Sequence, residues 1–163
     1  MPKSINKGVV AIPIVAVSAL MLMAPMLASA QSPHFIRASS SVDSDKNLVC
    51  SFKEAGLGDN QLIHYTCTAD ATANYECQNR GANQKNPPAE NKDSVSGPVS
   101  AEDTFNSGKN GQITKSLTAE PPGPGDFECP PGQNLVLASV SYTNVVLTDT
   151  TNNISVELND VSA

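Results

Sequence analysis

From Ile63 to Cys77 every second residue is apolar or cysteine. Ile63, Tyr65, Cys67, Ala69, Ala71, Ala73, Tyr75 and Cys77 keep one parity over fifteen residues, and the positions between them are polar. Side chains separate two-by-two only on extended backbone, so this run predicts strand with one buried face. The same period begins at Leu48. Strands are expected at 48–54, 61–69, 72–79, 94–105, 112–119, 135–147 and 154–158. Turn-formers separate them: Gly56-Leu57-Gly58-Asp59-Asn60, Asn83 to Lys92 with Pro87-Pro88, Gly108-Lys109-Asn110-Gly111, and Thr150-Thr151-Asn152-Asn153. Past the leader, no stretch carries a 3.6-residue apolar stripe. Seven short strands in about 110 residues predict an all-β fold, a two-sheet antiparallel sandwich of immunoglobulin-like size. The antibody-type Cys-Trp-Cys signature is absent, since the chain has no tryptophan.

Three hairpins follow from matching the apolar positions. One, centred between Gly58 and Asp59, would set Cys50 opposite Cys67, Phe52 opposite Tyr65 and Leu48 opposite Ala69. A second would pair Phe105 with Ile113, Asp103 with Lys115 and Ala101 with Leu117. The third would pair Leu147 with Ile154 and Val145 with Val156. Pro-rich residues 121–133, PPGPGDFECPPGQ, lie between two expected strands of one core. Their glycines at 123, 125 and 132 break the every-third spacing of a collagen helix, so they are expected to form a stiff corner.

Residues 1–30 have the layout of a signal peptide. Lys3 and Lys7 precede an apolar stretch from Val9 to Leu27, and Ala28-Ser29-Ala30 supplies the small residues of a cleavage site. The alternative is a retained anchor, because the apolar stretch approaches a membrane span in length, although Pro13 and Pro25 interrupt it. After cleavage the chain starts at Gln31 as a polar arm over 31–47, in which Phe35-Ile36 could pair as an edge strand. The sandwich domain is expected over 48–163, with no membrane span in the mature chain. Loss of the leader leaves 133 of 163 residues and 8 Lys and Arg against 16 Asp and Glu, a net charge of −8. No basic run survives, which argues against nucleic acid, where affinity comes mainly from neutralising phosphate.

All four cysteines, Cys50, Cys67, Cys77 and Cys129, lie in the mature chain. An even count in an exported chain reads as two disulfides. If the backbone runs straight from Cys67 to Cys77, the two are roughly 33 Å apart and cannot bond. A turn near Asp70 to Thr72 would let them meet, yet it contains no Gly, Pro or Asn-Gly. Cys50–Cys67 with Cys77–Cys129 is therefore favoured over a Cys67–Cys77 bond, and Cys50–Cys77 ranks last. The loops closed by the favoured pairs correspond to about 3 and 4 kcal/mol in the chain-entropy account.

Candidate chemistry is sparse. Asp43, Asp45, Asn47 and Glu54 match positions one, three, five and twelve of a calcium-binding helix–loop–helix, but Leu48 stands where the loop needs glycine and the flanks are strand-like. His64 and Cys67, three apart on a strand, point to opposite faces and cannot share a metal. A blue-copper site needs two histidines, a thiolate and usually a methionine. The mature chain has His34 in the arm, His64, and no methionine. There is no G-x-S-x-G elbow, and in the P-loop pattern around Gly108-Lys109 the first glycine is replaced by Asp103. No catalytic residue, cofactor or metal is assigned. Asn153-Ile154-Ser155 is a glycosylation sequon in an expected surface turn.

Tyr75-x-Cys77, Asn91-Lys92, Ser107-Gly108-Lys109-Asn110-Gly111-Gln112, Cys129-Pro130-x-Gly132-Gln133 and Val140-Ser141-Tyr142-Thr143-Asn144 together resemble a family of small exported proteins of soil bacteria and ammonia-oxidising archaea with no assigned function. The resemblance implies one compact unit, offers no activity, and agrees with pairing Cys77 with Cys129. The expected function is that of a secreted or cell-surface, non-enzymatic module binding an extracellular or envelope protein or glycan, with self-association through an edge strand open to it. The alternatives are a secreted hydrolase of polysaccharide or peptide, and a metal-binding exported protein. If a site exists it is expected on the loops 80–93 and 106–112, since loops carry function on sandwiches. Non-reducing peptide mapping is expected to recover Cys50 linked to Cys67 and Cys77 to Cys129; a Cys67–Cys77 peptide would overturn that pairing.

Overall fold

The structure is a computed structural model and describes residues 32–79 and 91–163. Eight strands build it: β1 (His34–Val42), β2 (Leu48–Ala55), β3 (Leu62–Asn79), β4 (Lys92–Asn106), β5 (Gln112–Ala119), β6 (Gln133–Asp149), β7 (Ile154–Glu157) and β8 (Val161–Ser162). They form two antiparallel sheets packed face to face. The small sheet has the order β1-β2-β5, and the large one β4-β3-β6-β7, with β8 also on β6. The fold expected from the period-two pattern is the fold found.

The fifteen-residue alternation belongs to one strand. β3 has no break near Asp70, where two separate strands were expected, and its odd positions from Ile63 to Cys77 are all buried. It occupies the middle of the large sheet, pairing with β4 along one edge and β6 along the other. At 18 residues β3 spans roughly 60 Å, whereas the 8-residue strands β2 and β5 span about 26 Å. The small sheet therefore covers only part of the inner face of β3. The Pro-rich crossover meets the remainder: the Tyr75 hydroxyl donates to the Pro122 carbonyl at 2.7 Å, and Cys129 bonds Cys77. The stretch is a corner, as its composition predicted, with Phe127 and Cys129 half-buried.

The Cys50–Cys67 bond is present, but the hairpin expected to create it is not. β2 and β3 lie in different sheets, so the disulfide joins the two layers, with Cα atoms 6.4 Å apart. Gly56, Gly58 and Asn60 all take positive φ, which turns the chain across to the other sheet instead of back alongside β2. Leu57 is buried within that arch. The hairpin expected across 105–113 is likewise an arch: Phe105 pairs with Ile63, and Ile113 with Glu54. The third hairpin exists, two residues out of the expected register, with Leu147 opposite Val156 and Asp149 opposite Ile154.

The expected arm over 31–47 is in fact strand β1 with its turn. Phe35, Ala38 and Val42 pack on the core while Ser39 and Ser41 face water, and a register shift between Phe35 and Arg37 keeps that alternation in phase. Gly56 anchors its start. A Cβ there would fall 2.1 Å from the Ser32 carbonyl oxygen, closer than any side chain allows.

β6 carries two irregularities that reverse its parity. Val140 and Tyr142 are buried, and after Asn144, at φ 53°, so are Val145, Leu147 and Asp149. The extra residue is held in place because the Asn144 amide donates to Asp70 Oδ2 at 2.9 Å and its backbone N–H to Asp160 Oδ1 at 3.0 Å. Replacing both Cys77 and Cys129 by alanine is expected to cost about 3–4 kcal/mol. Urea unfolding should read this as a lower midpoint with the small sheet's contacts retained.

Candidate functional site

Three polar side chains sit in the core at one end of the sandwich. Glu54 comes from β2, Tyr65 from β3 and Asp149 from β6, and all three have no exposed surface. Glu54 and Asp149 occupy inward positions at strand ends, where the parity of each strand would ordinarily place an apolar residue. Phe35, Phe52 and Phe105 surround Tyr65, with the Phe52 ring centroid 4.4 Å away. The Tyr65 hydroxyl donates to Glu54 Oε2 at 2.7 Å. Asp149 accepts from the backbone N–H of Asn152 at 2.9 Å and from its side-chain amide at 2.6 Å, closing the β6–β7 turn. Among the described residues no donor meets Glu54 Oε1.

Burial pushes the Glu54 carboxyl up to about 7, overriding the Tyr65 hydroxyl, which favours the anion; the Asp149 carboxylate adds to the upward push, while His34 opposes it. Raised to about 7, Glu54 is neutral over much more of the pH range than an ordinary carboxyl. Burial also raises the Tyr65 hydroxyl well above the ordinary tyrosine range, so it remains a donor. The Tyr65–Glu54 bond ties β2 to β3. With zero exposure on both acids, no glycosidic oxygen can reach them, so this pair is not a hydrolytic acid and base.

The residues singled out from the sequence end up apart. His64 lies on the outer face of the large sheet, with Nδ1 3.0 Å from the Thr104 hydroxyl and Nε2 3.6 Å from Glu102 Oε2. Hydroxyl, imidazole and carboxylate are in sequence there, but 3.6 Å exceeds a hydrogen bond and the Glu102 side chain is 72% exposed. Cys67 faces inward in its disulfide, on the side away from His64. Asp43 uses its carboxylate on its own turn, accepting from the backbone N–H groups of Asp45 and Asn47 and from the Asn47 amide. The Asn47 N–H chiefly holds it below the usual carboxylate range. Asn153 stands exposed at φ 57° in the β6–β7 turn.

Of the two loops expected to carry function, residues 80–90 lie outside the described residues. The loop over 106–112 is occupied by structure. Ser107 is buried, donates to the Gly58 carbonyl at 2.6 Å and accepts from the Gln61 N–H at 2.9 Å. Leu57 and Asn60 donate their N–H groups to the carbonyls of Gly111 and Gly108. A Cβ on Gly111 would come within 3.0 Å of the Gly58 nitrogen. The two arches between the sheets are therefore zipped to each other, which is why the Ser107–Gln112 segment needs its glycines.

Sequence reasoning missed the buried cluster. Its signal was an acid at an inward parity position in two strands, Glu54 after Phe52 and Asp149 after Leu147. No family model matches this chain, and no curated protein or solved structure matches it either.

The sign of the pH effect follows from the raised carboxyl. Below pH 4.5 Glu54 is protonated whether folded or not. As pH rises toward about 7 the unfolded chain loses that proton while the folded one keeps it. Stability from this group is thus fully present at low pH and falls by up to the order of 3 kcal/mol by pH 7. Glu54→Gln keeps an acceptor for Tyr65 and removes the titrating charge. Its urea midpoint is expected to exceed wild type at pH 8, with the difference shrinking to nothing near pH 4.5.

Proposed function

We propose that this chain is an exported, non-enzymatic β-sandwich that binds a component of the cell envelope or the extracellular matrix. The observation that carries this reading is where its polar chemistry lies. The buried acids serve the fold, the 106–112 loop is a structural lock, and the two outer sheet faces of the described residues are rich in hydroxyls. On the large sheet Thr66, Thr68, Thr72, Ser94, Ser96, Ser139, Ser141 and Ser155 occupy outward positions across four strands. Thr72 bonds Ser96, and Thr148 bonds Ser155.

Two disulfides are compatible with an oxidising compartment. Among the described residues no helix is long and apolar enough to cross a membrane. The strand order supports kinship of architecture with immunoglobulin-type sandwiches. Strands one, two and five face strands three, six and seven, as in a constant-type domain, with the fourth strand moved to the second sheet. Architecture of that type hosts many functions, so the reading rests on the surface. Purified mature protein is expected to co-sediment with the envelope fraction of its host. Recovery of all the protein in the supernatant, with no association with secreted matrix, would overturn the proposal.

A further inference from the structure

The outer face of the small sheet differs in charge from the rest of the molecule. Register sets Arg37 directly opposite Lys53, with Thr114 completing the row across β1, β2 and β5, and Ser39, Ser51 and Ser116 form the next row. Lys115, paired with the inward Phe52, emerges at the free edge of β5 beside them, its ammonium 5.4 Å from the centre of the Phe105 ring. A cleft of about 740 Å³ runs past Arg37, Ser39, Ser51, Thr114, Lys115 and Ser116, and Lys53 flanks it through its pairing with Arg37 and Thr114. Of the six Lys and Arg among the described residues, Arg37, Lys53 and Lys115 are half. The one acid within β1, β2 and β5 is Glu54, which points inward.

This arrangement works against the fold. Like charges directly opposite on neighbouring strands destabilise a sheet. No carboxylate stands within ion-pair distance of Arg37, Lys53 or Lys115 among the described residues. Asp103 of β4 borders the cleft and turns one oxygen to the Thr104 N–H. Cations gathered on neighbouring strands, in a chain with 16 Asp and Glu against 10 Lys and Arg, form an unpaired anion site. Apart from Asp103, the acids of the large sheet do not line the cleft, and the layers of such a sandwich lie about 10 Å apart, beyond the ~8 Å screening length of physiological salt. They leave the local field positive.

We infer that this face binds an acidic polysaccharide. Carboxylate or sulfate groups would bridge Arg37 and Lys53 and reach Lys115, and sugar hydroxyls would meet the serine row. Resting as it does on the proposed role as an exported binding module, the inference supplies the partner's chemistry. Three cations are too few to hold a nucleic acid through phosphate neutralisation alone, since each contact adds only one released counterion. The adjoining hydroxyls favour a glycan.

The probes are polygalacturonate, a sulfated dextran, neutral dextran, duplex DNA and vesicles of anionic lipid, each titrated with the disulfide-bonded mature protein. Binding to at least one of the two acidic glycans is expected, weakening with added salt, with none to neutral dextran; which of the two binds tells carboxylate from sulfate. Replacing Arg37, Lys53 and Lys115 by glutamine should weaken that binding by about tenfold or more. The control K46Q/K109Q, which removes cations outside the cleft, should bind like wild type. Failure of both acidic glycans, an equal loss in the control, or stronger binding to DNA or vesicles would overturn the inference. If the triple variant still co-sediments with host envelope as wild type does, this face is wrong and the module reading stands.

Discussion

Everything in this fold depends on one strand having its inward face held at two points. β3 bonds the small sheet through Cys67 and the Pro-rich crossover through Cys77. Between those cysteines its inward residues are Ala69, Ala71 and Ala73, which are too small to fill a core alone. The volume comes from the neighbouring strand, where Tyr142 sits in register with Ala71 and Val140 with Ala73. Small residues on the central strand beside large ones on its neighbour give interdigitated packing, which a row of uniform side chains would not. The disulfides then fix which layer covers which half of β3, and the two covers meet where β5 ends at Ala119.

Tyr142 also explains why β6 must be irregular. Its hydroxyl reaches past the core to donate to the Lys46 carbonyl at 2.7 Å, satisfying the turn that joins β1 to β2. Burial pushes that phenol up to about 12, so it stays a donor. A regular strand continuing from Tyr142 would bury Asn144 and expose Val145 and Leu147. One extra residue in the left-handed region, where asparagine is better tolerated than most side chains, reverses the parity and keeps both apolar residues inside. The final strand is interrupted at the same level, because β7 ends at Glu157 and β8 begins at Val161. Asp160 in that gap satisfies the N–H that the bulge exposes.

Parity was legible in the sequence, and parity is shared by several folds. The alternation fixes which residues of β2 and β3 look inward, and opposed inward residues meet equally well as cross-strand neighbours or as facing layers. Cys50 therefore meets Cys67, and Phe52 meets Tyr65, in the expected hairpin and in the observed arch alike. The difference lies in three backbone dihedrals at Gly56, Gly58 and Asn60, and composition alone reports those as a turn of unspecified direction. β1 was obscured for a related reason. Its outward serines dominate the count, and its register shift after Phe35 breaks the period-two signal over nine residues. The Pro-rich corner was readable because proline and glycine act locally. The cationic face was not, because Arg37, Lys53 and Lys115 are far apart in sequence and become neighbours only through sheet order.

The contrast between the two charged regions separates what serves the fold from what is free to bind. Glu54 and Asp149 are buried at a cost that the Tyr65 and Asn152 bonds offset, and a cluster so enclosed has no surface with which to meet a ligand. Arg37 and Lys53 lie on the opposite face of the same sheet, and Lys115 emerges at its free edge. Lys53 is the residue immediately before Glu54 on β2, pointing outward where its neighbour points inward. Any rearrangement that opened the acid cluster to water would shift β2 and carry Lys53 out of line with Arg37. The Tyr65–Glu54 bond inside therefore helps hold the strand that positions Lys53 outside, and the firmness of that coupling depends on β2 being the central strand of its sheet.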